Sequence, residues 1–236
     1  RRLCGSFKSN MNEILIDGYR FFEMQKDPNI YISVSGRKNF CELSQEDRAS
    51  FLNNHFGIES YRDFKQEHGN NIYGLDENMN NYDGFYTNQK NHAFAIKTAD
   101  CIPLIMWDDE KKSLCGLHCG WKGLANDIIK IALTHEKCNF LQNAFIGPHI
   151  SSKHFEIKND LISHFHSLGK DINEFLSTAD DQIFLNLRKV CEAQLTDLGI
   201  QNFNEYSPCS YEEKTNFFSY RRDKEKALRN LTIAWF

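Results

Sequence analysis

The sequence predicts a layered α/β (α+β) fold in which a mixed β-sheet core is flanked by helices. Apolar runs of strand length alternate along the chain with segments of helical periodicity. The run CIPLIMW after Asp100 is almost continuously apolar, as expected of a strand buried on both faces. A length of 236 residues without an internal boundary fits one large domain. We therefore assign residues 11–236 to a single domain and interpret residues 1–10 as an appended or disordered segment before a native start at Met11.

The first predicted helix begins after Leu43. Ser44 is the expected N-cap and Asp47 occupies the third helical position, a pairing typical of helix starts. Gly57 is the expected end of this helix. The following segment YGLDENMNNYDG, residues 73–84, is polar and rich in turn-forming residues, and predicts a surface loop. The apolar stripe of the helix would contain Ala49, Phe51, Leu52 and Phe56.

Four strand candidates and three further helices follow. The strands are AFAI, CIPLIMW, SLCGLHCG and NAFIG, the last ended by Gly147–Pro148. Helical spacing predicts one helix from Leu124 to about His135 and another around residues 160–168. A last helix would end at Gly199 and present one apolar face, formed by Leu187, Val190, Cys191, Leu195 and Leu198.

Composition excludes several classes of function. The net charge is −4 and the basic residues are scattered, which argues against nucleic acid or an anionic membrane as a partner. No apolar stretch approaches the ~20 residues of a membrane span, and no signal-peptide pattern opens the sequence. Eight cysteines without such a signal predict reduced thiols and a cytoplasmic protein. We expect Cys115, Cys138 and Cys191 to serve packing only.

Three residues could together bind a metal ion. His68 in QEHGN, Cys101 in TADCIP and His118 in LHCGW each lie beside a glycine, a proline or a strand end, where a side chain can project into a cavity. Two imidazoles and one thiolate with a fourth position open to water or substrate would form a catalytic zinc site. The spacing matches no compact zinc motif. A hydrogen-bonded strand-end histidine at His118 and a surface-loop histidine at His68 therefore remain alternatives.

Four motifs, in this order, resemble one known family: TADCIPLIMWD, LHCGWKGL, FIGPHISSKHFEI and FFSYRRD. This is the bacterial YfiH family, also called the laccase-domain or multicopper polyphenol oxidase family and, more recently, purine nucleoside phosphorylases. The resemblance extends from about Val34 to Phe236. It implies a layered α/β fold that is shared remotely with bacterial toxins that deamidate glutamine through a Cys–His pair.

The resemblance places the metal ligands on His68, Cys101 and His118. Asp100 adjoins a ligand and could orient a histidine or accept a proton, although a strand-end turn residue is an alternative. Cys119 should point to the opposite face of the sheet from His118 and join the core.

Several cations could contact a substrate anion. Arg37 matches an arginine of the family, but KNFCEL replaces the glycine-rich segment that usually follows it. Lys122 stands where the family has arginine, and it can hold an anion only as a point charge. Arg221 is a candidate anion contact beside Arg222, with solvated charges as the alternative. The family's later TGR element is replaced by KALRN, which leaves Arg229 as a loose counterpart.

Three other side chains follow from the resemblance. Cys209 matches a cysteine of the family and is expected to line the pocket without binding metal. His149 and His154 flank the family's GP-x-I segment. His149 could border the pocket, but we favour packed or exposed positions for both histidines.

The resemblance implies a zinc-dependent purine nucleoside phosphorylase. Its partners would be phosphate and adenosine, with inosine, guanosine and methylthioadenosine as further substrates, in a monomer or small homo-oligomer. The family is also linked to adenosine deamination, which suits zinc because the metal lowers the pKa of bound water.

Four alternatives to this reaction remain. The first is a copper-dependent polyphenol oxidase, disfavoured because three ligands define a single mononuclear site. The second is a metal-free hydrolase with Cys101 as nucleophile and His118 as base. The others are a different substrate, such as a peptidoglycan precursor, and a non-enzymatic binding module.

Overall fold

The computed structural model describes residues 11–63, 65–77, 81–110, 112–165 and 171–236. Its strands form two six-stranded mixed sheets and one small three-stranded sheet. The strands in chain order are β1 Asn12–Ile16, β2 Tyr19–Lys26, β3 Asn29–Val34, β4 Ser60–Arg62, β5 Ile72–Gly74, β6 Gly84–Thr87, β7 His92–Thr98, β8 Ile102–Asp108, β9 Ser113–Cys119, β10 Asn143–Ile146, β11 Glu156–Ile157, β12 Leu176–Ala179, β13 Gln182–Leu185, β14 Asn202–Phe203 and β15 Asn230–Trp235.

Each six-stranded sheet combines distant parts of the chain. Sheet one has the order β1-β2-β3-β15-β7-β4, so the last strand lies between β3 and β7 and is antiparallel to both. Sheet two has the order β14-β10-β8-β9-β6-β5, with β8 and β9 paired over seven residues. The small sheet has the order β11-β13-β12. The strands predicted at AFAI, CIPLIMW, SLCGLHCG and NAFIG correspond to β7, β8, β9 and β10, so these predictions are confirmed.

Helices cover the outer faces of the two large sheets. In chain order the helices are α1 Gln45–Phe56, α2 Trp121–Ala125, α3 Ile128–Thr134, α4 Asn159–Ile162, α5 Leu187–Asp197 and α6 Tyr220–Asp223, with 3-10 turns at Phe40–Glu42, Ile172–Phe175 and Lys224–Lys226.

Three apolar layers hold these elements together. The layer between the two sheets joins Phe22 and Phe94 of sheet one to Ile105 and Leu114 of sheet two. A second layer packs the other face of sheet two against α2, α3 and α5. A third packs the other face of sheet one against Phe51 of α1. Because side chains alternate along each strand, one strand contributes side chains to the layers on both faces of its sheet. This arrangement confirms the predicted layered α/β class.

The boundaries of α1 agree with the prediction. The Ser44 side chain accepts a hydrogen bond from the Asp47 backbone N–H at 3.0 Å. Gly57 ends the helix with a φ of 68°, a left-handed conformation that favours glycine. The α5 prediction is also confirmed, with the Asn186 side chain as N-cap and Gly199 just beyond the end at a φ of 89°.

Three predicted elements differ from the structure. The helix predicted from Leu124 to His135 is two short helices, because Asp127 has a φ of 57° between them and interrupts the helix. The helix predicted around residues 160–168 is described only as α4, and residues 166–170 lie outside the described residues, as do residues 1–10. The predicted surface loop at 73–84 is wrong for Tyr82 and Asp83, which are each 1 % exposed.

Among the described residues, no helix has the length and apolar character needed to cross a bilayer.

Candidate metal centre and cavity

The three predicted ligands lie together at one end of the apolar layer between the two six-stranded sheets, which we call the seam. His68 belongs to the connection from β4 in sheet one to β5 in sheet two. Cys101 belongs to the connection from β7 in sheet one to β8 in sheet two. His118 lies near the end of β9, on the strand face that also carries Leu114 and so faces sheet one. Two chain crossings and one strand end therefore bring the three side chains to one point.

The spacing of the ligand atoms fits one metal ion. One ligand atom from each of His68, Cys101 and His118 lies within 4.8 Å of the other two. Tetrahedral zinc with bonds of roughly 2.0–2.3 Å needs ligand atoms about 3.3–3.6 Å apart, so at most a small inward adjustment is needed. Gly120 keeps the space open, since a Cβ there would lie 3.1 Å from the Cys101 Sγ and 3.2 Å from the His68 Cδ2.

Asp83 holds both histidines, and it was not predicted from the sequence. Its Oδ1 lies 2.9 Å from the His118 Nδ1 and accepts from the His68 backbone N–H at 2.9 Å. Its Oδ2 accepts from the Gly69 backbone N–H at 2.7 Å. Because a carboxylate accepts at Nδ1, the proton sits there and Nε2 is the nitrogen of His118 available to a metal. The position of Asp83 within a turn-rich segment gave no sign of this burial.

Proximity of the three ligands favours their charged forms. Burial opposes ionisation of Cys101, but His118 and His68 outweigh it and lower the pKa of this thiol to about 6. Burial likewise opposes protonation of His118, but Cys101 and Asp83 outweigh it and raise the pKa of this imidazole to about 9. In the metal-free protein, both shifts therefore favour the thiolate of Cys101 and the imidazolium of His118 over the neutral pair. A thiolate is also the form that binds a metal.

Asp100 anchors the crossing that carries Cys101. Its Oδ1 accepts from the Ser210 hydroxyl at 2.7 Å, and its Oδ2 accepts from the Arg221 backbone N–H at 2.6 Å. It has a φ of 99°, which strains a non-glycine residue. The carboxylate that contacts the His118 ring is Asp83 and not Asp100. Asp100 fixes the backbone next to Cys101 instead.

A cavity of about 850 Å³ opens in front of the three ligands. Its size suits a small organic molecule. Phe155 and Tyr220 supply aromatic surface to its wall. Its described charged lining contains five cations, Arg48, Lys65, Lys97, Arg221 and Arg229, against the single carboxylate of Asp100. In a chain with a net charge of −4, this is a local concentration of positive charge that favours anions.

Of the cations predicted to contact an anion, Arg221 and Arg229 line this cavity and the others do not. Arg37 is exposed beyond β3, where Ser35 is bonded to the 215–216 segment. The Lys122 Nζ lies 5.6 Å from the centroid of the Trp121 ring. Arg222 donates to the backbone carbonyls of residues 210, 211 and 217 and pairs with Asp223, so its guanidinium supports the chain locally.

The remaining predicted neighbours have packing roles. Cys119 is fully buried in the layer between sheet two and its helices, as expected. Cys209 accepts from the Ser151 backbone N–H through its Sγ but does not line the cavity, contrary to expectation. His149 is buried against the Gly147 carbonyl, and burial lowers its pKa to about 4. His154 lies 2.9 Å from Glu212. Cys115, Cys138 and Cys191 are buried in the same layer as Cys119 and confirm the packing prediction.

A cluster around Asp63, which includes the cavity-lining residues Arg48 and Lys97, was not predicted. Arg48, Lys97 and Tyr61 all contact the carboxylate of Asp63, which is 4 % exposed. Arg48 lies in α1 and Lys97 in β7, so their separation in sequence conceals the cluster. An arginine on the buried face of an otherwise apolar stripe was the available signal, because a buried arginine requires a partner.

The chain is similar to named proteins and to solved structures over most of its length. A family model described as multi-copper polyphenol oxidoreductase laccase matches residues 43–236. A purine nucleoside phosphorylase of Clostridium acetobutylicum is 30% identical over 231 residues, covering 93% of this chain and 97% of that protein. A purine nucleoside phosphorylase of Campylobacter jejuni is 31% identical over 213 residues, covering 86% of each.

Solved structures share the fold at lower identity. A Neisseria meningitidis protein of the DUF152 family superposes with a TM-score of 0.77 at 20% identity, covering 90% of this chain and 95% of that one. The YfiH protein of Bacillus licheniformis also has a TM-score of 0.77, at 19% identity, with 94% and 100% covered. The resemblance expected from the four sequence motifs is confirmed. The chain belongs to the multi-copper polyphenol oxidoreductase laccase family, which includes the YfiH proteins.

Proposed function

We propose that this protein is a zinc-dependent purine nucleoside phosphorylase that acts on adenosine, and also on inosine, guanosine and methylthioadenosine, with adenosine deaminase as a side activity. The observation that carries the proposal is the His68, Cys101 and His118 triad at the end of a cation-lined cavity. Two relatives near 30% identity are named purine nucleoside phosphorylases, which supports an enzyme of this general kind.

The donor set supports zinc as the metal. Two imidazole nitrogens and a thiolate suit a borderline-soft ion and not magnesium or calcium, which prefer oxygen. When bound, zinc supplies a Lewis acid that polarises an oxygen of phosphate or substrate and can acidify water for deamination. His68, Cys101 and His118 would hold the ion, and Asp83 fixes the tautomer of His118.

In phosphorolysis, a phosphate oxygen forms a bond to C1′ of the ribose while the C1′–N9 bond breaks. The bonding electrons leave with the base, which takes up the proton that hydrogen phosphate loses, and the products are adenine and ribose-1-phosphate. The cations of the cavity would neutralise phosphate, with Arg221 as one contact. Phe155 and Tyr220 offer aromatic faces to the purine. Asp100 accepts hydrogen bonds from the Ser210 hydroxyl and the Arg221 backbone N–H. It thereby links the backbone of Arg221 to the segment that carries Cys101.

Product analysis tests this proposal. Metal-replete protein is incubated with adenosine, with and without phosphate, and the products are separated by chromatography. We expect adenine and ribose-1-phosphate only when phosphate is present, and loss of both in His118→Ala. His92→Ala, which changes a histidine that does not line the cavity, should retain activity. Inosine formed irrespective of phosphate would report the deaminase activity. Unchanged adenosine under all conditions would refute the nucleoside assignment.

Copper-dependent oxidation is the second candidate, favoured by the description of the family model. Among the described residues, one group of three potential ligands is present, whereas a multicopper oxidase needs ligands for several ions. Electron paramagnetic resonance of protein purified without added copper separates the cases. Abundant native Cu(II) would support the oxidase, and its absence together with bound zinc would support the phosphorylase.

A cysteine hydrolase is the third candidate, favoured by the lowered pKa of Cys101 beside His118. It predicts rapid stoichiometric alkylation of Cys101 in protein without metal, and a hydrolytic activity that chelation leaves intact. Loss of activity on chelation would reject it.

A further inference from the structure

We propose that Lys97 is the principal cation of an oxyanion subsite in this cavity, and that inorganic phosphate is the ligand it takes. The inference rests on the proposed function and assigns one part of its site. It replaces Arg37 and Lys122, which do not line the cavity, with a residue that does.

The Asp63 cluster, two of whose members line the cavity, determines the charge available to a ligand. The Arg48 Nε and Nη2 contact the two carboxylate oxygens of Asp63 at 2.8 and 3.2 Å. The Tyr61 hydroxyl donates to the same carboxylate at 2.6 Å, and the Lys97 Nζ lies 3.0 Å from it. Arg48 and Lys97 face one carboxylate, which leaves one positive charge in the cluster uncompensated. That charge lies on the cavity side.

The exposed fractions of the two side chains indicate that Lys97 carries the uncompensated positive charge. The Arg48 side chain is 8 % exposed, and its Nη1 donates to the carbonyls of Cys41 and Leu43. All three guanidinium nitrogens of Arg48 are therefore engaged. The Lys97 side chain is 27 % exposed into the cavity. Within the described residues, Asp63 is the side-chain partner of this ammonium, which carries three donors. Lys97 can thus keep its contact with Asp63 and also donate to an oxyanion.

The backbone of Lys97 is bonded to the segment that carries His68, and its ammonium is bonded to Asp63. The Gln66 Oε1 accepts from the Lys97 backbone N–H at 2.7 Å, and the Gln66 Nε2 donates to the Lys97 carbonyl at 2.7 Å. Gln66 precedes His68 by two residues, and Lys97 precedes Cys101 by four. The side chain of Gln66 therefore ties the strand of Lys97 to the segment of His68. A cation fixed relative to the metal ligands can hold phosphate in one orientation for attack.

The other cations of the cavity are less suited to this role. The Arg221 guanidinium donates to the carbonyls of His154 and Glu156 and lies 5.4 Å from the centroid of the Phe155 ring. Arg229 and Lys65 are exposed, so solvent and salt screen their charges. Lys97 combines partial burial with a fixed position, and a partly buried charge attracts an anion more strongly than an exposed one.

Phosphate binding without nucleoside tests the assignment. Metal-replete protein is titrated with inorganic phosphate by isothermal titration calorimetry. We expect Lys97→Met to weaken phosphate binding about tenfold or more and Lys97→Arg to recover part of it, consistent with loss and retention of one charge-assisted hydrogen bond. In turnover assays, Lys97→Met should raise KM for phosphate and change KM for adenosine less than twofold. Lys90→Met, an exposed lysine that does not line the cavity, is the matched control.

The outcomes separate this inference from the proposed function. Wild-type protein that does not bind phosphate, or Lys97→Met that binds it equally well with normal zinc content and an intact circular dichroism spectrum, would overturn the inference. If phosphate binding depends on Lys97 but adenosine is left unchanged, the inference stands and the phosphorylase assignment fails. If turnover requires phosphate but is the same in Lys97→Met as in the wild type, the phosphorylase assignment stands and the inference fails.

Discussion

Asp83 acts on both histidines of the site at once. It accepts from the side chain of His118 and from the backbone N–H groups of His68 and Gly69, and its own carbonyl accepts from the His118 backbone N–H at 2.7 Å. One carboxylate thus sets both the ring orientation of one ligand and the loop position of the other. Carboxylates in this position strengthen the histidine as a ligand and preorganise the site.

Asp83→Asn should therefore weaken zinc binding. Its side-chain oxygen can still accept from His118, but its amide nitrogen cannot accept from Gly69, and the negative charge is lost. We expect zinc affinity to fall about 10–100-fold, measured by competition with a chromophoric chelator. Asp109→Asn removes an exposed carboxylate as a control and should leave the affinity unchanged. Equal affinities in Asp83→Asn and the wild type would show that Asp83 does not position the ligands.

At the scale of elements, the two sheets approach closely where β7 crosses β9. Gly116 in β9 faces Phe94 in β7, and a Cβ at Gly116 would lie 2.2 Å from the Phe94 Cε2. Phe94 is fully buried in the layer between the sheets. Because Gly116 has no side chain, the Phe94 ring can occupy the space next to it. Gly116 precedes His118 by two residues, so this contact lies close to the metal ligands.

Gly116→Ala should overpack this seam and lower the free energy of unfolding by about 1–3 kcal/mol, measured by urea denaturation. Phe94→Leu removes the obstructing ring atoms at its own cost in lost packing. If the clash causes the effect, the double variant should be more stable than the sum of the single changes predicts, by at least about 0.5 kcal/mol. Strict additivity would contradict the proposed contact.

The sequence predicted elements well where local chemistry decides the structure. Ser44 and Gly57 mark the ends of α1 because capping depends on neighbouring residues. The break at Asp127 was missed because apolar spacing continues through it, while the chain turns at a positive φ. β15 was not predicted, because its place between β3 and β7 is fixed by contacts with residues more than a hundred positions away.

The site shows the same division. Motif resemblance identified His68, Cys101 and His118, which the structure brings together. Asp83 and the Asp63 cluster were missed because their partners come from other elements and carry no pattern in the sequence. Arg37 and Lys122 were selected by motif position, and position in a motif does not determine whether a long side chain reaches a cavity.

At the scale of the whole molecule, His149 links stability to pH. Its pKa of about 4 in the folded protein is below the ~6.5 of an unfolded histidine, since burial disfavours the cation. The unfolded chain therefore binds more protons between these values, and folding stability falls as the pH decreases from about 6.5 to 4. The full contribution is present above pH 6.5 and lost below about pH 4.

His149→Gln should remove this part of the pH dependence. Metal-free wild type and variant are unfolded in urea at several pH values, so that the contributions common to both cancel in the difference. We expect the stability advantage of the wild type to shrink by about 3 kcal/mol between pH 6.5 and 4. His92→Gln, a partly buried histidine on β7, serves as the control. A difference between wild type and His149→Gln that stays constant with pH would contradict this assignment.

The two chain crossings that carry His68 and Cys101 have a consequence for local opening. A bound ion would join both crossings to the end of β9, so that end of the seam could not separate without breaking coordination bonds. Removing the ion would leave the three apolar layers in place and free only this end to fluctuate. Amide hydrogens near residues 68, 101 and 118 should then exchange faster than those of the central strands, so that metal supply would govern how often this edge of the protein is open.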